Sequence, residues 1–252
     1  MIVLLHGVPT SGWLYRKMTD SLVNRGYRVI APDMLGFGSS DSPKGYNLYK
    51  PGEHGKRLLA LMNHLKVDNW NHVFHDAGGL WTWELLKIAP NRIKKLVVLN
   101  SIIYENGFKP PMRFEKGAMT KLSMSFYSNK LTNKTIMKKL FKNALMKNDL
   151  TANEIEGYRK PLLEGKTNSL YTFFSSTCNS LPDYSEVIKN TKIPAIVIWG
   201  KHDKMLQWKP MADQVTSDLN VEPNNIHILD SKHYIQEEST DEIINFIIDF
   251  VK

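Results

Sequence analysis

Short apolar runs alternate with longer amphipathic stretches along most of this chain. Ile2–Leu5, Arg28–Ala31, His72–Phe74, Lys95–Leu99, Pro194–Trp199 and Ile226–Leu229 read as strands, each followed within two residues by Gly, Pro, Asn or Asp. The unbroken apolar run in Pro194–Trp199 is the pattern of a strand buried on both faces. Trp13–Asn24, Gly52–Leu65, Leu80–Ile88 and Asp241–Val251 read as helices. In the second of these Leu58, Leu59, Leu61, Met62 and Leu65 recur at helical spacing. Strands alternating with helices predict an α/β fold, with a mostly parallel sheet covered by helices on both faces.

The stretch 104–187 breaks that rhythm. It offers no convincing strand and carries helical patterns over Met119–Tyr127, Thr135–Met146 and Asn153–Leu163. The expected organisation is therefore a core of residues 1–103 and 188–252, interrupted by a helical cap over 104–187. Open α/β sheets place their sites at the carboxyl ends of the strands, beneath such a cap.

Composition narrows the classes. At 252 residues with 42% hydrophobic and 23% charged residues, the chain is an ordinary globular one, without disordered or repetitive tracts. No apolar run reaches the roughly 20 residues of a membrane span, and no leader is recognised at the start. Cys178 is the single cysteine, which fits a reducing, cytoplasmic setting. The net charge is +8, with some excess of lysine between Lys109 and Lys147. Arginine clusters interleaved with aromatics are absent, so a solvated lysine-rich surface is expected rather than a nucleic-acid site. No metal cluster, phosphate loop or dinucleotide turn is found, so no cofactor is expected.

Three chemistry-bearing spots follow strands. His75-Asp76-Ala77-Gly78-Gly79 lies between a strand and a helix, the layout of a nucleophile elbow with Asp76 at its apex. Gly200-Lys201-His202-Asp203 and Ser231-Lys232-His233-Tyr234 follow the last two strands. Singly, Asp76 reads as a helix cap, Asp203 as a turn residue and His233 as a loop histidine. Together they give the chain order nucleophile, acid, base at one sheet edge.

With these residues stand His6-Gly7-Val8-Pro9, Trp13-Leu14-Tyr15-Arg16 and Val29-Ile30-Ala31-Pro32-Asp33-Met34-Leu35-Gly36-Phe37-Gly38. This set resembles the α/β-hydrolase fold, and within it the haloalkane dehalogenase and epoxide hydrolase branch, whose His-Asp-Trp-Gly turn is similar to His75-Asp76-Ala77-Gly78. From Asn100 onward the chain also resembles bacterial relatives of the mesoderm-specific transcript protein. The resemblance implies Asp76 as nucleophile, His233 as base, Asp203 as the partner orienting it, the N–H groups of Val8 and Ala77 as an oxyanion hole, and a cis peptide before Pro9. Asn100 stands where some dehalogenases keep their acid, but an amide cannot serve, which leaves Asp203. Family members carry two further strands ahead of the His-Gly-x-Pro strand. Their lack here implies either a trimmed sheet, whose edge a second copy could cover, or a start later than the family's.

An aspartate nucleophile selects the reaction. Its carboxylate is anionic at neutral pH and can displace a halide or open an epoxide at a saturated carbon, leaving an alkyl ester. Attack on an ester would give a mixed anhydride, which is uphill. The expected substrate is a small apolar organic molecule. A halide needs N–H donors, yet Ala77 replaces the branch's tryptophan, Val8 its asparagine, and none of the six tryptophans lies in the cap. An epoxide oxygen needs an acid, and the cap offers Tyr171 and Tyr127 as candidates. Epoxide opening is thus favoured, with haloalkane dehalogenation and a non-catalytic ligand-binding protein of this fold as alternatives. Phe74, two residues before Asp76, is large where elbows prefer a small side chain.

Overall fold

The structure, a computed structural model, describes residues 1–147 and 149–252. Six parallel strands form one sheet: β1 (Ile2–Leu5), β2 (Val29–Ile30), β3 (Trp70–Asp76), β4 (Ile93–Ser101), β5 (Ala195–Gly200) and β6 (Ile226–Leu229). Their order is β2-β1-β3-β4-β5-β6. All six strands expected from the sequence are present. The chain leaves β1 toward one edge, then crosses back over it to lay down β3, β4, β5 and β6 in turn. The winding direction therefore reverses between β1 and β3. The loops after these two strands part to opposite sides and leave a crevice at their carboxyl ends.

Helices flank the sheet. They are α1 (Arg16–Asn24), α2 (Pro51–His64), α3 (Gly78–Ile88), α4 (Ala118–Ser128), α5 (Lys130–Ala144), α6 (Ala152–Leu163), α7 (Asn168–Thr172), α8 (Ser185–Asn190), α9 (Ala212–Asp218), α10 (Ile235–Glu238) and α11 (Thr240–Val251). α1 packs on α11, and α3 on α2 and α8. The stretch read as one helix from Trp13 begins instead with a 3₁₀ turn over Gly12–Tyr15, capped by the Ser11 hydroxyl, before α1 starts at Arg16.

Between β4 and β5 the regular elements among the described residues are helices, and Phe108 makes a single antiparallel bridge to Leu206. Asn129 caps α5 by accepting from the N–H groups of Leu131 and Thr132, so this helix starts five residues before the apolar periodicity becomes visible. Thr151 and Glu154 cap α6 reciprocally. α7 runs into a π-helical turn over Phe173–Thr177, a widening often found beside functional sites. The β1 and β5 side chains are buried throughout, as continuous apolar runs in a doubly covered sheet require.

Candidate active site

At the end of β3 the chain turns within one residue into α3. Asp76 sits at the apex with φ of +53°, a left-handed conformation that a non-glycine residue adopts only when its surroundings hold it. Two donors hold the turn: the Ile102 N–H at 3.0 Å and the Ser101 hydroxyl at 2.9 Å both reach the Asp76 carbonyl. Close packing does the rest. A Cβ on Gly78 would stand 2.7 Å from the His6 carbonyl oxygen, and one on Gly79 2.6 Å from that of Ile102. Phe74 fits despite its size because its ring packs edge-on against Trp83 of α3, with centroids 5.3 Å apart.

The loop after β1 meets this turn. A Cβ on Gly7 would fall 2.3 Å from Asp76 Oδ1, so glycine is needed there. The Val8 N–H donates to Asp76 Oδ1 at 2.6 Å, and the Ala77 N–H also reaches the carboxylate. The Val8–Pro9 peptide is cis. His6 points away from the crevice. Its Nε2 accepts from the Met34 N–H at 3.0 Å and its Nδ1 donates to the Gly7 carbonyl at 2.8 Å, tying two loops together.

The other two carboxyl-end loops bring in His233 and Asp203. His233 Nδ1 lies 2.8 Å from Asp203 Oδ2, and its Nε2 faces Asp76 Oδ2 at 3.8 Å. Asp203 is fully engaged. Its Oδ1 accepts from the N–H groups of Met205 and Leu206, and its Oδ2 also accepts from the Asn100 amide at 2.7 Å. Asn100 in turn accepts from the Gly200 N–H at 2.8 Å. Asn100 is therefore a bracket between β4, β5 and the Asp203 loop, a part that the sequence did not suggest.

Burial and charge oppose each other across this group. Burial disfavours the His233 imidazolium, but the Asp203 charge and hydrogen bond, with Asp76 behind, outweigh it and raise its pKa above the ordinary 6.5. For Asp203 burial would raise the pKa, and His233 and Asn100 bring it below the usual carboxylate value. For Asp76 burial prevails over His233 and the two N–H donors, and the pKa is raised.

Asp76 and His233 open onto a cavity of about 60 Å³, room for a handful of water molecules. Val8, Phe108, Leu140 and Phe174 contribute to its mostly apolar wall. Tyr127 of α4 lines it, whereas Tyr171 does not. The Tyr171 hydroxyl accepts from the Gly117 N–H at 3.0 Å, and its ring stacks on Tyr46 at 4.0 Å. Tyr234, next to His233, takes the place expected of Tyr171 on the cavity wall. Neither Tyr127 nor Tyr234 spends its hydroxyl on another described residue. Burial pushes the Tyr127 pKa up to about 12, and burial with the Asp76 and Asp203 charges raises that of Tyr234 well above its ordinary 10, so both keep their protons. No tryptophan lines the cavity.

The family model for the α/β hydrolase fold matches residues 1–120. That match covers just under half of the chain, and the whole chain has the fold of the α/β hydrolases. It is 37% identical over 102 residues to a haloalkane dehalogenase of Mycolicibacterium paratuberculosis, covering 40% of this chain and 34% of that protein. It is 32% identical over 99 residues to an epoxide hydrolase of Caballeronia sordidicola, covering 39% and 30%. The chain thus spans about a third of the length of these curated relatives. A thermophilic esterase from Thermogutta terrifontis superposes over 99% of this chain and 88% of its own, with a TM-score of 0.75 at 16% identity, a likeness of fold alone. Relatives named for different reactions share this framework, so the reaction has to be argued from the cavity.

Proposed function

We propose that the protein is a hydrolase that opens small epoxides to diols through an ester on Asp76. The observation that carries this reading is the cavity wall shared with Asp76: two tyrosines whose hydroxyls have no partner among the described residues, and no tryptophan.

Asp76 Oδ2 attacks an epoxide carbon while Oδ1 stays on the Val8 and Ala77 N–H groups. As the C–O bond breaks, the oxygen takes a proton from Tyr127 or Tyr234, since a developing alkoxide is the stronger base. The resulting ester keeps Oδ1 as its carbonyl oxygen, already in the donor pair. His233 Nε2 then draws a proton from water, which adds to the ester carbon. The negative charge forms on Oδ1, where each N–H donor contributes roughly 10²–10³ in rate. Asp203 supports the imidazolium. Collapse expels the second diol oxygen, which takes the proton of the newly formed Asp76 carboxyl and leaves the carboxylate restored, and the His233 proton returns to the tyrosinate. The sum is epoxide plus water.

His233→Gln removes the base and leaves attack intact. Incubated with small epoxides, this variant is expected to gain the mass of one whole epoxide by intact-protein mass spectrometry, and His233→Gln/Asp76→Asn none. Tyr127→Phe and Tyr234→Phe added to His233→Gln should slow adduct formation by about 10²–10⁴ between them. A gain of haloalkane minus HX, insensitive to those tyrosines, would instead support dehalogenation, the reading favoured by the 37% identity noted above. Adducts from neither panel would favour a ligand-binding protein.

A further inference from the structure

The positive charge of this protein is concentrated in one place. Between residues 109 and 147 stand ten lysines and arginines against Glu115 alone, a net of +9 in a chain whose total is +8. Along α5, Lys130, Lys134, Lys138 and Lys142 repeat every fourth residue and are all exposed, forming one stripe. Like charges at this spacing oppose helix formation. Nothing within the protein relieves them: among the described residues the one ion pair of the whole stretch is Arg113–Glu105.

The neighbouring helix carries the complementary feature. On α4, Met119, Leu122 and Phe126 fall within a narrow arc, 74%, 53% and 46% exposed. Leu131, 83% exposed, follows at the head of the lysine stripe. The inner sides of the same helices, with Tyr127 and Leu140, form the cavity wall. The outer side is thus an apolar ridge bordered by cations, over the cavity. Exposed apolar side chains of this size beside unpaired lysines mark an interaction surface.

We propose that the outer face of α4 and α5 docks on an anionic lipid surface, with the apolar ridge entering the headgroup layer and the lysine stripe on the phosphates. The charge asymmetry selects a polyanion, and the ridge selects a lipid over a nucleic acid, which offers no apolar layer to receive it. No helix among the described residues is long and apolar enough to cross a membrane, and the contact proposed is a peripheral one. Docking would hold the cavity close to a phase in which small apolar molecules concentrate. The proposal rests on exposed side chains alone and stands whichever reaction the cavity performs.

The test is sedimentation with vesicles of phosphatidylcholine, with and without phosphatidylglycerol. The protein should pellet with the anionic vesicles only, and be released near 1 M salt, where the Debye length is about 3 Å. Each lysine contributes a factor of about five, so Lys134→Glu/Lys138→Glu should weaken binding at least 25-fold. Leu122→Ser/Phe126→Ser should weaken it at least tenfold, with unchanged circular dichroism. Absence of binding to anionic vesicles overturns the proposal. So does binding that tolerates Leu122→Ser/Phe126→Ser, or that single-stranded RNA abolishes in the wild type with a tighter affinity of its own.

Discussion

His233 is the residue on which pH acts first. Its pKa is raised because Asp203 and Asp76 outweigh burial, and only its neutral form can take a proton from water. On the proposed mechanism, hydrolysis of the ester fails as pH falls through that raised value, while Asp76 continues to attack until it is itself protonated. The ester should therefore accumulate on the wild-type protein at mildly acidic pH, visible as adduct mass after an acid quench. Asp203→Asn removes the charge that holds the imidazolium and leaves burial in control. The acid limb should move to lower pH while hydrolysis drops by about 10⁴, the size seen when a triad carboxylate becomes an amide. An unmoved limb would mean that another group titrates. Asp76, Asp203 and His233 could be singled out from the sequence because each follows a strand closely, and strand ends are readable. Tyr234 could not, and Asn100 stood out only as a place for an acid, not as the bracket that it is. An aromatic beside a histidine reads as packing, and only the path of the loop after β6 sets it on the cavity wall. Tyr171 misleads in the opposite sense, since stacking on Tyr46 is a contact between segments 125 residues apart in the chain.

Among the elements, α1, α6 and α10 meet at a buried charge. Glu237, whose side chain is 1% exposed, accepts from Arg16 through both oxygens, at 2.5 and 2.9 Å, and from Lys17 at 3.0 Å. The Tyr158 hydroxyl of α6 donates to it as well, and Arg16 and Lys17 continue to Glu154. A fully satisfied carboxylate of this kind fixes geometry, and weakening it strands two cations. Glu237→Gln is expected to cost about 1.5–3 kcal/mol in urea unfolding. It should also loosen α6 from α1, read as faster amide exchange of residues 152–163. A loss below 0.5 kcal/mol would mean that Glu154 suffices. A second tie joins the helical stretch to the His233 loop, where the His233 and Tyr234 N–H groups both donate to the Ala144 carbonyl at 3.1 Å. The strands and long helices were legible because their apolar period repeats over several turns or runs unbroken. α7, α8, α9 and α10 have seven residues or fewer, under two turns, too few to show a period. How the helices between β4 and β5 seat on the sheet was hidden too, because it depends on ties such as Glu237, whose partners lie 79 and 221 positions away.

The molecule as a whole keeps several histidines neutral in its interior. Burial lowers the pKa of His6 to about 4 and those of His54 and His72 to about 3, and it lowers that of His75 as well. His72 is held by Trp70 and Thr82, at 2.9 Å each, in a chain that ends on the Gly78 carbonyl at the start of α3. His54 has less support: it lies among Trp81, Phe37 and Tyr49 with its Nδ1 unpartnered. Below pH 6.5 the unfolded chain binds protons that these native imidazoles refuse, so stability falls as pH falls toward about 4. Each such histidine removes roughly 1.4 kcal/mol per pH unit in that window. His233 acts with the opposite sign, but its contribution is complete once pH is below 6.5 and adds no slope there. The raised pKa of Asp76 offsets part of the loss only near its own titration. Thermal unfolding should therefore show a melting temperature that drops steeply between pH 6.5 and 5. His54→Phe replaces an orphaned ring with one that suits an aromatic surround, and it removes one titrating group. It should leave stability at pH 8 close to the wild type and flatten the acid slope by about one proton. An unchanged slope would show that His54 protonates freely in the native state, and the acid sensitivity would then have to lie with His6, His72 and His75.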